Sequence, residues 1–334
     1  MVCFKTPRNY QAYIKWINLM IGLGLMVILV VRSGNVENDP RKANKEDRRM
    51  RVADLYCGGG GFSAGFKMAG FDIVYGVDID KNACDTFKHN FKDAQVDQMD
   101  ILDLDYRELP KFDVLIGSPP CVDFSVGNID RGFDLTHVRL MLDFVEKTKP
   151  KYWVMENVPQ IMTMEFALNL RFYFPNIQIL EAFRFGAPTV RKRFFGGKYP
   201  KIAIPPNYAV VKDYININRS GHRQPYKDHV YRKINPNKPL FTICAQRISN
   251  DRYLLPNGSS LSVCEYATLQ GFPDWFVFPV SRSMAQRQVG KSVCPPVAAA
   301  IGKAIMHDHD GTEDEPDYAE VSANSISKRS GECG

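Results

Sequence analysis

The first apolar segment along the chain, residues 16–31 (WINLMIGLGLMVILVV), is flanked by Lys15 and Arg32. Such a run suits a signal h-region or a short anchor, but it is shorter than the roughly 20 residues that span a bilayer. The segment that follows, 33–50, is strongly charged and ends in Met50, directly ahead of an apolar strand pattern. We read residues 1–49 as a leader upstream of a functional start at Met50, which the folded domain does not need. A membrane anchor formed by 16–31 is the lesser alternative.

From Arg51 onward, short apolar runs alternate with amphipathic ones. The pattern predicts strands at Val52–Leu55, Phe71–Val77, Phe112–Gly117 and Tyr152–Met155. Helices are predicted between them at Phe62–Ala69, Lys81–Phe91 and Leu135–Lys147. Strands and helices in alternation imply an α/β fold with a parallel sheet. Residues 196–238 break the rhythm: they are rich in Pro, Asn, Tyr and Lys and lack a helical period, which predicts a small loop-rich lobe. Helical spacing returns at Ser262–Leu269 and at Pro295–Met306, where proline is tolerated in the first turn. From His307 the chain is acidic and poor in bulky apolar residues, so a disordered tail is expected. The chain thus divides at 1–49, 50–195, 196–255, 256–306 and 307–334.

Composition changes this picture little. With 45% hydrophobic and 24% charged residues over 334 positions, the chain is globular rather than disordered or fibrous. It is long enough to bury roughly three quarters of its unfolded surface without a disulfide or metal staple. Its eight cysteines form no C-x-x-C pair, which favours a reducing, cytoplasmic setting, nucleoid-associated or nuclear. Charge distribution is more informative than the net +6: residues 184–252 hold fifteen Lys or Arg against three Asp, a stretch able to face a polyanion. No Cys or His spacing supports a four-ligand metal site, and His307-x-His309 sits in the acidic tail, so no metal is expected.

Three clusters carry chemistry. The first, Asp54-Leu-Tyr-Cys-Gly-Gly-Gly-Gly-Phe-Ser-Ala, runs from a strand through a glycine turn into a helix, where the backbone can approach a ligand closely. Asp78 closes the second strand, where a carboxylate can accept the hydroxyls of a ribose, and an adenosine-type cofactor follows. A dehydrogenase turn would fit the glycines equally well. Asp100 could meet an adenine amine or simply cap a helix. In the second cluster, Cys121 follows Pro119-Pro120 at a strand end, and Glu156 ends the next strand, a nucleophile and acid at neighbouring strand termini. Glu156 and Asn157 could alternatively cap a helix. The third is Arg191-Lys192-Arg193, where strand alternation would put both arginines on one face. Two guanidiniums there could hold a carboxylate, ligate a carbonyl oxygen and depress a thiol pKa.

In their order these pieces resemble the C5-cytosine methyltransferase family. The matching segments are DLYCGGGGFSAGF, Asp78, Asp100, PPC at Cys121, ENV at Glu156 to Val158, and R-x-R at Arg191 and Arg193. LFTICA at 240–245, LSVCEYATLQGFP at 261–273 and QVGKSVCPPVA at 288–298 complete the series. The resemblance implies a Rossmann-like class I methyltransferase sheet over 50–195, completed by the chain's end (256–306), with a small target-recognition lobe at 196–255. It implies S-adenosylmethionine as cofactor, 5-methylcytosine in double-stranded DNA as product, and a restriction–modification setting. Cys121 would add to the cytosine ring, Glu156 would act at N3, Arg193 would hold O2, and Arg191 would support that pair. Tyr56 and the Gly58, Gly59, Gly60, Gly61 turn would border the cofactor. Asp78 would take its ribose, with Ile79 also in the cofactor site, Asp100 with Ile101 its adenine, and Pro120, Ser292 and Val293 its methionine side. A monomer is expected.

The chain departs from the family pattern at Val122 and Thr189, where Gln is usual, at Lys291, where Asn is usual, and at Cys264, which replaces a common Arg. In the short lobe, Arg219, His222, Arg223, Lys227, Tyr231, Arg232 and Lys233 are candidates for phosphate or base contact. The alternatives are a branch of the family that methylates tRNA, so that RNA is the partner, and a binding protein that kept the fold and lost catalysis.

Overall fold

The structure, a computed structural model, describes residues 49–120, 135–163, 173–218, 232–245 and 253–312. The predicted alternation is present. Strand β1 (Arg51–Leu55) leads into helix α1 (Gly61–Met68), β2 (Asp72–Asp78) into α2 (Lys81–Asn90), and then come β3 (Gln95–Gln98), β4 (Val114–Gly117), α3 (Thr136–Thr148) and β5 (Tyr152–Asn157). Strands β6 (Asn176–Glu181) and β8 (Lys192–Lys198) complete a seven-stranded sheet in the order β3-β2-β1-β4-β5-β8-β6. The β1 to β5 pairings are parallel, whereas β8 runs antiparallel to both of its neighbours. The sheet is therefore mixed rather than wholly parallel. None of its strands comes from the end of the chain, which corrects the expectation that 256–306 would complete it.

Alternation along the strands supplies two cores. On one face Val52, Ile73, Val114, Ile116 and Val154 pack with Phe62, Phe66 and the C-terminal helix residues Val297 and Ile301. On the other face Ala53, Leu55, Leu115, Trp153 and Met155 pack against Val138, Met141 and Phe144 of α3. Adjacent residues in one strand thus serve opposite layers, the period-2 signature of a sheet buried on both sides. The C-terminal helices are α4 (Val263–Gln270), α5 (Arg282–Lys291) and α6 (Pro295–Asp310). Helix α4 starts at a reciprocal capping box, with the Ser262 hydroxyl accepting from Glu265 N and Ser262 N donating to the Glu265 carboxylate.

Two expected boundaries shift. Strand β8 crosses the 195/196 division and ends at Lys198, and the chain beyond it stays attached: the Gln178 amide donates to Ile202 O and accepts from Ile202 N, at 2.8 and 2.9 Å. Helix α6 runs four residues into the expected tail, where Tyr152 donates a 2.5 Å hydrogen bond to Asp308 and Lys151 meets His309. The described part of the lobe is held by two short parallel ladders. In one, β7 (Thr189–Val190) pairs with β10 (Leu240–Phe241); in the other, β9 (Arg232–Lys233) pairs with β11 (Tyr253–Leu254). Its buried Ile215, Ile234, Leu240 and Leu255 join the core of the α1 and α6 face, so the lobe shares that core rather than building its own. Among the described residues no helix is long and apolar enough to cross a membrane; the run 16–31 lies outside them.

Candidate active site

The carboxyl ends of β1, β2, β4 and β5 converge on one rim, the place where ligands bind in open α/β sheets. At the end of β1 the backbone turns sharply, with Tyr56 at φ 58° and Gly58 at φ 52°. This turn brings Gly58 N within 2.9 Å of Asp78 Oδ2, while Asp80 N donates to Asp78 Oδ1 at 2.9 Å. The Asp78 carboxylate is thereby fixed in direction, with one backbone donor on each oxygen and lone pairs to spare. Burial raises its pKa; the hydrogen bonds from Asp80 N and Gly58 N oppose that rise, and the charge of Lys291 opposes it more weakly. Beside it, the Ile79 side chain is 66% exposed, an uncovered apolar surface at the end of β2. Asp100 does cap a short helical turn, accepting from Leu102 N at 3.0 Å, and Ile101 is buried beneath it. The Tyr56 hydroxyl donates to His137 O at 3.3 Å, and its ring meets the His137 ring edge-on.

Gly61 opens α1 and has no room for a side chain. A Cβ there would lie 2.6 Å from Ser292 Oγ and 2.7 Å from Val293 O. The segment Ser292–Val293, buried and held by the 3.1 Å bond from Gln270 Nε2 to Ser292 O, therefore forms a wall directly against the glycine turn. Below Gly59 lie Gln288 Oε1 and the Thr86 methyl group; Gln288 Oε1 and Thr86 Oγ1 are both buried and without a hydrogen-bond partner among the described residues. Asp54, one layer deeper on β1, accepts a 2.6 Å bond from Ser63, and burial pushes its pKa up to about 8.

Glu156 and Arg193 form an ion pair, Nε to Oε1 at 3.0 Å, with the two side chains 10% and 19% exposed. The antiparallel β5–β8 register explains the contact. Glu156 lies opposite Phe195, so Arg193, two residues along, is its diagonal neighbour on the same face. Next to Glu156, the Asn157 amide donates to Pro119 O at 3.3 Å, tying the end of β5 to the Pro119–Pro120 turn after β4. Cys121 follows that turn directly and, like Val122, lies outside the described residues. So do Arg219, His222, Arg223, Lys227 and Tyr231 of the lobe. Arg232 and Lys233 are described and exposed, with the Arg232 guanidinium 5.1 Å from the centre of the exposed Phe241 ring.

Arg191 sits between β7 and β8 and is buried. Its guanidinium donates to Ile243 O at 3.2 Å and to Lys291 O at 3.3 Å. Burial, and then the Arg193 charge, lower its pKa to about 10. The buried thiols Cys84 and Cys294 are each pushed up to about 11, chiefly by burial, and Cys57 is raised well above its ordinary value for the same reason. None of these three is an activated thiolate at neutral pH. Sequence reading missed His137 as the partner of Tyr56, and Gln288 as the side chain under Gly59. Gln288 opens the segment QVGKSV, but nothing in the spacing distinguished it.

Compared with known proteins, the chain matches the family described as C-5 cytosine-specific DNA methylase over residues 50–201 and 198–307. This chain belongs to that family. It is 30% identical over 322 residues to the type II methyltransferase M1.HphI of Haemophilus parahaemolyticus, covering 77% of this chain and 87% of the relative. The crystal structure of a prophage-encoded DNA modification methyltransferase of E. coli superposes with a TM-score of 0.61 at 25% identity, over 78% of this chain and 99% of the other. The S. pombe Dnmt2 methyltransferase shares the fold, with a TM-score of 0.64 at 17% identity, over 78% of this chain and all of the other. The chain is thus a C5-cytosine DNA methyltransferase, and its mixed sheet is the Rossmann-like sheet of such enzymes. Among its described residues no group of three or more His, Cys, Asp or Glu is placed to hold a metal.

Proposed function

We propose that this methylase transfers the methyl group of S-adenosylmethionine to C5 of a cytosine swung out of double-stranded DNA, with Cys121 as nucleophile. The observation that carries the reading is the Glu156–Arg193 pair at the end of β5, tied through Asn157 to Pro119, two residues before Cys121 in the sequence. C5 of cytosine is a weak nucleophile on its own. Addition of the Cys121 thiolate to C6 makes the ring an enamine, and the negative charge that develops at N3 and O2 must be relieved. Glu156 donates a proton or hydrogen bond at N3, while Arg193 holds O2. C5 would then take the methyl carbon as its bond to the sulfonium sulfur breaks, the electron pair staying on sulfur so that S-adenosylhomocysteine leaves; a base takes the C5 proton as the Cys121 thiolate departs, which restores the aromatic ring. Because the target atom is inaccessible in a stacked duplex, the base must leave the helix.

The residues at the glycine turn fit the cofactor. Asp78, oriented by two backbone donors, suits a ribose diol, and the exposed Ile79 offers an apolar face to an adenine. Tyr56, Gly58 to Gly61, Asp100, Ile101, Pro120, Ser292 and Val293 would line the remaining contacts. When bound, the cofactor supplies an electrophilic methyl group on a sulfonium; the protein's part is to hold that methyl over C5 and exclude water. We also propose action as a monomer, with Arg232 and Lys233 among the DNA contacts.

The test uses the full chain and Cys121→Ser with labelled S-adenosylmethionine and duplex DNA containing 5-fluorocytosine at candidate sites. Fluorine blocks loss from C5, so the unmodified enzyme becomes covalently joined to the DNA and the serine variant does not. Equal trapping of both proteins would refute Cys121 as nucleophile, and transfer to tRNA alone would replace DNA with RNA as substrate.

A further inference from the structure

Lys291 stands where the family pattern has a neutral asparagine, and its backbone lies beside the wall of the glycine turn. It is the last residue of α5; its carbonyl accepts from Arg191, and the next residue begins the wall packed against Gly61. Its side chain is exposed, forms no ion pair among the described residues, and is near enough for its charge to act on Asp78. Other cations around this rim are committed. Lys81 pairs with Asp85 at 2.6 Å, Arg193 pairs with Glu156, and Arg191 is buried on two carbonyls. S-adenosylmethionine carries one anionic group, the carboxylate of its methionine end. With the ribose at Asp78 and the methionine side along Ser292–Val293, as in the cofactor reading above, the tail would pass Lys291, which forms no ion pair among the described residues.

We propose that the Lys291 ammonium pairs with the methionine carboxylate of the bound cofactor, giving this enzyme an ionic grip where the family pattern has a neutral amide. The inference rests on the cofactor reading above. It implies that binding is salt-sensitive, and that Lys291 contributes through the carboxylate and not through the adenosine. The C-terminal end of α5 reinforces the placement, because the helix dipole favours a cation there.

Calorimetric titration of the full chain separates the possibilities. S-adenosylhomocysteine carries the carboxylate, whereas 5′-methylthioadenosine keeps the adenosine and thioether and lacks it. Lys291→Met and Lys291→Asn should weaken S-adenosylhomocysteine by about five- to twentyfold, the range of one charge-assisted contact at a partly solvated site. Methylthioadenosine affinity should not change. Lys291→Arg should retain most of the affinity, and the decline of binding with added salt should be shallower in the Met variant than in the wild type. Equal losses on both ligands, or no loss on either, would overturn the inference. If the wild type binds methylthioadenosine and S-adenosylhomocysteine not at all, the cofactor reading fails, and the ionic grip with it.

Discussion

Replacing Glu156 with glutamine keeps the volume of the side chain and one acceptor oxygen but removes its charge, and the consequences can be worked from the pair it forms. The guanidinium and carboxylate meet at 3.0 Å with little exposure on either side. With charge centres about 4 Å apart and an effective dielectric near 20, their attraction is about 4 kcal/mol before desolvation is subtracted. Breaking a fully buried pair costs about 3–5 kcal/mol because the survivor is left unsolvated. Here Arg193 keeps a 2.8 Å bond to Lys192 O and some contact with water. The net loss should therefore be about 2–3 kcal/mol, or a melting temperature lower by about 4–6 °C for a fold of this size. The catalytic loss should be larger, about 10²- to 10⁴-fold in kcat, as for a removed proton donor. A double-mutant cycle with Arg193→Met, read by thermal unfolding and by single-turnover methylation of duplex DNA, should give a stability coupling of about 2 kcal/mol. Additive effects within about 0.5 kcal/mol, together with kcat near wild type in Glu156→Gln, would refute the pair as the charge-relieving element.

Two further predictions test the cradle. Gly61→Ala must force Ser292 and Val293 away from the turn, whereas Gly58→Ala meets nothing within 4 Å and suffers only from its φ of 52°. Both should lower stability by about 1–2 kcal/mol, from overpacking in one and left-handed strain in the other. Only Gly61→Ala should displace the Ser292–Val293 wall, which a crystal structure or chemical shifts at Val293 would reveal; an unmoved wall contradicts the packing account. Asp54, with its pKa raised from 3.8 to about 8, holds a proton in the folded state that the unfolded chain releases near pH 4. Its contribution is therefore full below about pH 4 and is lost as pH rises through 8, at up to about 1.4 kcal/mol per pH unit. Asp54→Asn should remove that slope between pH 5 and 8, leaving the part due to Asp78. Parallel stability curves for the two proteins would show that Asp54 is ionised throughout.

Most secondary structure was legible because the apolar pattern and the packing demand coincide: α1, α2, α3 and β5 begin and end within a residue or two of their predicted limits. The β8 boundary was missed for a physical reason. Gly196 and Gly197 open the stretch assigned to the loop-rich lobe, yet they serve close packing inside a strand, since a Cβ on Gly197 would lie 2.0 Å from Trp153 O and one on Gly196 would strike Phe194 and Phe174. The site motifs were legible as a series, but their mutual contacts were not. The bond from Arg191 to Lys291 O joins positions 100 residues apart, and the bond from Tyr56 to His137 O joins positions 81 apart. Short-range spacing holds no trace of either.

Those long-range bonds join the glycine turn and the Glu156–Arg193 pair into one mechanical piece. Arg191 retains its charge at neutral pH even with its pKa lowered to about 10. Its hydrogen bonds go to the backbone at Ile243 and Lys291 instead of to the cleft, and Nε finds no partner among the described residues. One guanidinium thus fixes the lobe segment LFTICA and the return segment GKSV to the start of β8, two residues from Arg193. Ser292 and Val293 follow immediately and close on Gly61, while Arg193 closes on Glu156. A shift in the wall that borders the glycine turn must therefore be felt at Arg193 through Arg191. On the proposed reading Arg191 is accordingly a positioning residue, a buried side chain at which segments 52 and 100 residues away along the chain are brought together.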